Sequence, residues 1–215
     1  MKRFFLKLAV VLVFVLFFTS IAFAASSKAV LSSRSEKDFR SKQLRRMSVI
    51  LSNLSELGFM NFDMRSVTKD VIPIELIQFG IWHNYFNNPK RYVSKCKIKN
   101  CKWGSYRIRG KYVTRSIKKY FGVNYSRLAS ASKSVPPYHF DGKFYHFNNV
   151  HREAVYFTRV NRAYKSRTGR IIALGEVYNA DNRYRLGSFE SVLKPQRFGG
   201  KRTWAVISMK TEYYK

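Results

Sequence analysis

The spacing of apolar residues divides the chain into a first half with helical period and a second half with strand period. Between Ser35 and Gly58, Leu44, Met47, Leu51 and Leu54 recur every three or four residues, with Ile50 and Leu57 widening the stripe. That spacing gives an α-helix one apolar face. Ser35 suits its N-cap, Glu36 and Asp38 its first turn, and Gly58 the residue after its end. Arg40, Lys42, Arg45 and Arg46 fall largely elsewhere, as a solvated basic face. A second helix is predicted from Pro73, a first-turn residue, to Asn88, where Pro89 ends it. Ile74, Ile77, Ile81, Trp82, Tyr85 and Phe86 make it heavily apolar. A third is predicted over Lys111–Phe121, with Val113, Ile117 and Tyr120 inward and Gly122 stopping it. The Lys-rich stretch Lys90–Arg109 between them reads as a loop with a short strand.

From Val135 the period falls to two. Tyr138-His-Phe140 and Lys143–Phe147 flank Asp141-Gly142, a pair suited to a type I′ hairpin turn. Such a turn sets Phe140 against Lys143, His139 against Phe144 and Tyr138 against Tyr145. Tyr138, Phe140, Tyr145 and Phe147 then share the core face, and His139, Phe144 and His146 the other, with the two histidines diagonal neighbours. Strands are predicted at Ala154–Tyr164, Ile171–Asn179, Tyr184–Leu193 and Thr203–Lys210, joined by turn-like segments. Consecutive strands with short links form an antiparallel meander, and the helices cover one face. The expected class is α+β: two or three N-terminal helices packed on a curved antiparallel sheet of about five strands. It forms one domain over 35–215, helical over 35–122 and sheet over 135–215, with topology similar to cystatin-like and NTF2-like architectures.

The first residues predict an address. Lys2, Arg3 and Lys7 precede the apolar run Leu8–Phe18, and Ala22-Phe23-Ala24 supplies a small-x-small pattern. This is the order of a secretory signal peptide cleaved after Ala24, with 25–34 as a flexible lead. No second apolar stretch approaches the length of a membrane span. The expectation is export to the periplasm or beyond. In an oxidising compartment Cys96 and Cys101 can close a small loop as a structural clip, stabilising by roughly 2 kcal/mol at best. A metal pair is the weaker reading, since no second Cys or His pair stands at ligand spacing.

Composition narrows the function. In 215 residues, 46% hydrophobic and 16% aromatic content excludes a disordered basic tail, and two cysteines exclude a disulfide-framework miniprotein. Formal charge is +29, from 41 Lys+Arg against 12 Asp+Glu. Removing 1–24, with three bases and no acid, leaves +26. Such a charge attracts phosphate- or carboxylate-rich polymers. Within Arg91–Tyr112, where bases alternate with aromatics, Lys95, Lys97, Lys99, Lys102 and Arg107 are the candidate contact strip. Nucleic acid fits this pattern chemically, but export favours an anionic polymer of the cell envelope or a partner protein.

Nothing positive marks an enzyme. The chain has no nucleophile elbow, phosphate loop or metalloprotease helix, and no cofactor is expected. His139 and His146 with Glu153, or His151, are the candidate acid–base or metal group. They define the alternative reading, a secreted nuclease-like hydrolase. His83 reads as a half-buried, hydrogen-bonded imidazole, and Tyr156, Tyr178 and Trp204 as a candidate aromatic lining of the sheet. Finally, FGIWHNYFNN (Phe79–Asn88), IKKYFG (Ile117–Gly122), YHFDGKFYHF and GEVY (Gly175–Tyr178) resemble a family of exported bacterial proteins. In that family a helical half precedes an aromatic Asp-Gly hairpin and a meander. The resemblance spans roughly 70–210, implies one continuous module, and carries no catalytic residue across.

Overall fold

The structure, a computed structural model, describes residues 39–66, 74–125, 130, 137–149 and 156–214. The predicted signal peptide and lead, the element starts at Ser35, Pro73 and Ala154, and the candidates His151 and Glu153 lie outside the described residues. The described residues are α+β. In chain order the elements are α1 (Ser41–Ser55), β1 (Phe62–Asp63), a 3-10 turn (Met64–Ser66), α2 (Ile74–Asn87), α3 (Pro89–Tyr92), β2 (Val93–Lys95) and β3 (Tyr106–Arg109). Then follow α4 (Gly110–Phe121), β4 (Tyr138–Phe140), β5 (Phe144–Phe147), β6 (Tyr156–Lys165), β7 (Ile171–Asn179), β8 (Arg185–Phe198) and β9 (Lys201–Tyr213).

Two antiparallel sheets form where the sequence predicts one. The larger is the expected meander with a short extra strand, in the order β1-β9-β8-β7-β6. The hairpin β4–β5 leaves it and joins two strands from the Lys-rich stretch, where one short strand is expected, in the order β2-β3-β5-β4. Strands β8 and β9 run past their predicted ends to a two-residue turn at Gly199 and Gly200, both at positive φ (56° and 77°). Pro195 argues for a strand end, yet it sits within β8. Pairing with β7 stops at Leu193, so beyond that point β8 is bonded on one side only and a missing N–H costs little.

Helix α4 ties the parts together. Tyr120 accepts a hydrogen bond from Asn53 of α1 at 2.8 Å, and Gln196 of β8 donates to the Lys119 carbonyl at 2.7 Å. Phe121 packs edge-on to Phe62 of β1. Against α2 the approach is close enough that a Cβ on Gly80 would meet Val113 Cγ1 at 2.7 Å. Asn84, buried on the same interface, donates to the Gly80 carbonyl at 2.7 Å and to Ser116 Oγ at 2.8 Å. Helix α1 begins at Ser41 rather than Ser35, because Gln43 Oε1 reaches back to the Arg40 N–H at 3.1 Å. It lies along β6, where Ser52 Oγ accepts the Thr158 N–H at 3.0 Å and Ser48 Oγ the Val160 N–H at 2.9 Å. Tyr156 and Tyr178 do not line one surface. Tyr178 is paired with Phe157, which puts it on the face opposite Tyr156.

His83 is buried rather than half-buried, 4% exposed, with its ring stacked on Phe79 and edge-on to Tyr120. Asn87 Nδ2 lies 3.3 Å from its Nδ1. Burial, assisted by the Lys119 charge, pushes its pKa down to about 4. A base with a depressed folded pKa contributes fully above pH about 6.5, and that contribution falls away as pH drops toward 4. Going from pH 7 to pH 5 should therefore cost about 2 kcal/mol through this residue. Urea unfolding at the two pH values checks it. His83→Phe should lose markedly less stability than the parent over that interval, and an equal loss would assign the acid sensitivity elsewhere.

Candidate functional site

The small sheet holds the chemistry because of how its hairpin turns. Asp141 takes the position before the turn: its Oδ1 accepts the Lys143 N–H at 2.8 Å and the Phe144 N–H at 2.6 Å. The tip is then Gly142-Lys143 with positive φ at Gly142 alone, a type II′ arrangement rather than the predicted I′. Phe140 consequently pairs with Tyr145, and His139 with His146. The shift is two residues along β5, so every side chain keeps its predicted face while the histidines become direct neighbours. Ser94, Arg107, His146 and His139 line up across β2, β3, β5 and β4 on one face.

The His146 part of that face is covered, while Ser94 at its edge stays exposed. The loop from Cys96 to Ser105 folds over it, closed by the Cys96 N–H to the Ser105 carbonyl at 2.8 Å and the Ser105 N–H to Asn148 Oδ1 at 3.2 Å. The Trp103 indole stacks on His139, with ring centroids 3.9 Å apart, and Lys102 Nζ stands over the same indole. Gly104 permits the closure. Its φ is 141°, and a Cβ there would fall on the Phe147 backbone.

Under the loop, His146 is 1% exposed at its side chain. Its Nε2 meets Asp141 Oδ2 at 2.8 Å, and its Nδ1 faces Cys96 Sγ at 3.4 Å and Cys101 Sγ at 3.5 Å. Both cysteines are free thiols. Burial would raise the Asp141 carboxyl, but the His146 hydrogen bond and the two turn amides prevail and hold it at about 2. Asp141 is thus a carboxylate at neutral pH and accepts the hydrogen bond from His146 Nε2, which turns Nδ1 toward the sulfurs. Burial pushes the Cys96 thiol up, the opposite of what a cysteine nucleophile needs. Cys96, Cys101 and His146 form, among the described residues, the one group of three such donors whose ligand atoms lie within 4.8 Å of one another.

Of the predicted strip, Lys95, Lys97, Lys99 and Lys102 are exposed on β2 and the covering loop. Arg107 is half-buried, its guanidinium 4.5 Å from the Phe144 ring centroid and its Nε 3.4 Å from Ser94 Oγ. His139 and His146 are brought together, but His146 is interior and His139 lies flat on an indole. Along the sequence the cysteines and the histidines are separate features, and Asp141 reads only as a turn residue. The five-residue interval Asp141–His146 was the available signal, and only the true register gives it meaning.

Gly104→Ala should strain or lift the loop at a cost of roughly 1–3 kcal/mol. A lower melting temperature with faster alkylation of Cys96 and Cys101 is the expected outcome. Unchanged labelling would show that the loop closes without the Gly104 contact. No protein-family model, curated protein or solved structure matches this chain.

Proposed function

We propose that the chain is an exported, strongly basic, non-catalytic module that binds an anionic polymer of the cell envelope. The carrying observation is the lining of three surface clefts. One, of about 490 Å³, carries Arg46, Arg197 and Arg202 beside Trp204. A second, about 310 Å³, carries Lys111, Arg115 and Lys118, and a third, about 430 Å³, carries Arg65, Arg170 and Lys194. No carboxylate lines any of them. Asp63 pairs with Arg65 beside the third cleft, while Asp141 pairs with His146, Glu176 with Arg185 and Glu212 with Lys210 away from all three. In the first two clefts positive potential is therefore left without a carboxylate partner where a ligand would sit.

The exposed Lys95, Lys97, Lys99 and Lys102 extend that surface, and among the described residues none of them is in an ion pair. No described helix is long and apolar enough to cross a membrane. The order of helices before a meander, similar to cystatin-like and NTF2-like architectures, belongs to this proposal as an analogy of topology. A polysaccharide or polyphosphate with regularly spaced charges fits shallow, separated cationic clefts better than a compact small molecule does.

Binding to dextran sulfate, with neutral dextran as control, tests the reading. Affinity should fall by about 100-fold between about 50 and 200 mM salt, as expected when several counterions are released. Replacing Lys97, Lys99 and Lys102 together by Glu should weaken binding and flatten the salt dependence. Absent binding at low ionic strength, or binding that salt leaves unchanged, overturns it.

A further inference from the structure

The geometry points to a zinc site: we propose that Cys96 Sγ, Cys101 Sγ and His146 Nδ1 bind one Zn²⁺, with Asp141 orienting the imidazole from behind. Tetrahedral zinc has Zn–S near 2.3 Å and Zn–N near 2.0–2.1 Å, which sets sulfur and nitrogen about 3.6 Å apart. The two S···N separations here are 3.4 and 3.5 Å, so the donors already stand close to ligand positions.

The imidazole is prepared for the role. Asp141 Oδ2 accepts from Nε2, which fixes the tautomer with Nδ1 free to coordinate. A carboxylate behind a histidine ligand is the usual support of a protein zinc site, and it raises the basicity of the ring. Asp141 is itself held by two turn amides, so the ring cannot swing away from the sulfurs. The two cysteines, separated by four residues, stand at the start and near the middle of one loop, a spacing within the range of zinc-binding cysteine pairs.

Donor softness selects the ion. Two thiolates and an imidazole suit zinc and exclude magnesium and calcium, which take oxygen ligands. On binding, each thiol releases its proton to solvent, so the two thiolates neutralise Zn²⁺ and no net charge is buried. Three protein ligands leave one coordination position, which water fills. A disulfide would use the same sulfurs but would leave the aligned Nδ1 without a partner. The site stands independently of polymer binding, because none of the lysines of the strip is a ligand.

The test uses the full chain, reduced and freed of metal. One equivalent of Zn²⁺ should bind in competition with a chromophoric chelator and protect both cysteines from alkylation. Co²⁺ in its place should show thiolate-to-metal charge-transfer absorption and the intense visible bands of tetrahedral cobalt. Cys96→Ser and Cys101→Ser should abolish these signals. His146 is fully buried, so its removal threatens the fold. Asp141→Asn, checked for folding by circular dichroism, keeps the test decisive and should weaken zinc about 10–100-fold. The chain with Lys97, Lys99 and Lys102 replaced by Glu should keep the metal, which separates this result from loss of polymer binding. A reduced chain that holds no Zn²⁺, a cobalt complex lacking thiolate bands, or a Cys96–Cys101 disulfide recovered after isolation in excess Zn²⁺ without reductant overturns the proposal.

Discussion

Strand β5 is buried on both faces, and most of the arrangement around it follows from satisfying the two sides with opposite chemistry. Tyr145 and Phe147 look toward the helices, where Trp82 meets Phe147 edge-on at 5.2 Å between centroids. His146, between them in sequence, looks the other way and is as fully enclosed. An enclosed imidazole must have both nitrogens occupied or lose hydrogen-bonding free energy. The turn carboxylate meets one need and the cysteine loop the other. The hairpin register, the path of the Lys-rich segment and the separation of a second sheet from the meander are all consequences of that requirement.

The two sides differ in what holds them. On the helix side Phe147 is ringed by Trp82, Tyr85 and Tyr106, with apolar burial as the main term. The loop side rests on a few directional contacts and one stacked indole. Directional contacts tolerate replacement poorly, since removing one partner leaves the other buried and unsatisfied. Chemistry concentrated on the second side therefore comes with a narrow choice of residues.

Periodicity made the larger elements legible. Helix α4 matches its expected span to within one residue because Val113, Ile117 and Tyr120 mark one face and Gly122, at a φ of 70°, closes the end. The turn-like segments between the long strands are legible for a similar reason: Asn179 Oδ1 accepts the Asp181 and Asn182 N–H groups, and Gly199 and Gly200 take positive φ. What local pattern cannot express is which strands meet. β2 and β3 are three and four residues long and too charged to alternate clearly, so the stretch reads as a loop with one short strand, and its partners stay unassigned until the sheet forms. Asp-Gly serves either of two turn positions, and the amides of Lys143 and Phe144 donating to Asp141 Oδ1 favour the one with Gly142-Lys143 at the tip. The cluster was invisible for the same reason: its members lie 50 and 45 residues apart and are joined only through sheet pairing.

The hydroxyls of Ser48 and Ser52 bear on how this chain lives at high concentration. They occupy N–H groups on the outer margin of β6, the last strand of the large sheet. An open margin of that kind is a template on which a second molecule can extend the sheet, and repetition of the step builds fibres. Like charge slows the approach of two copies, but salt weakens that repulsion. Two serines on a covering helix act at any ionic strength, so protection from self-assembly persists where electrostatic repulsion fails.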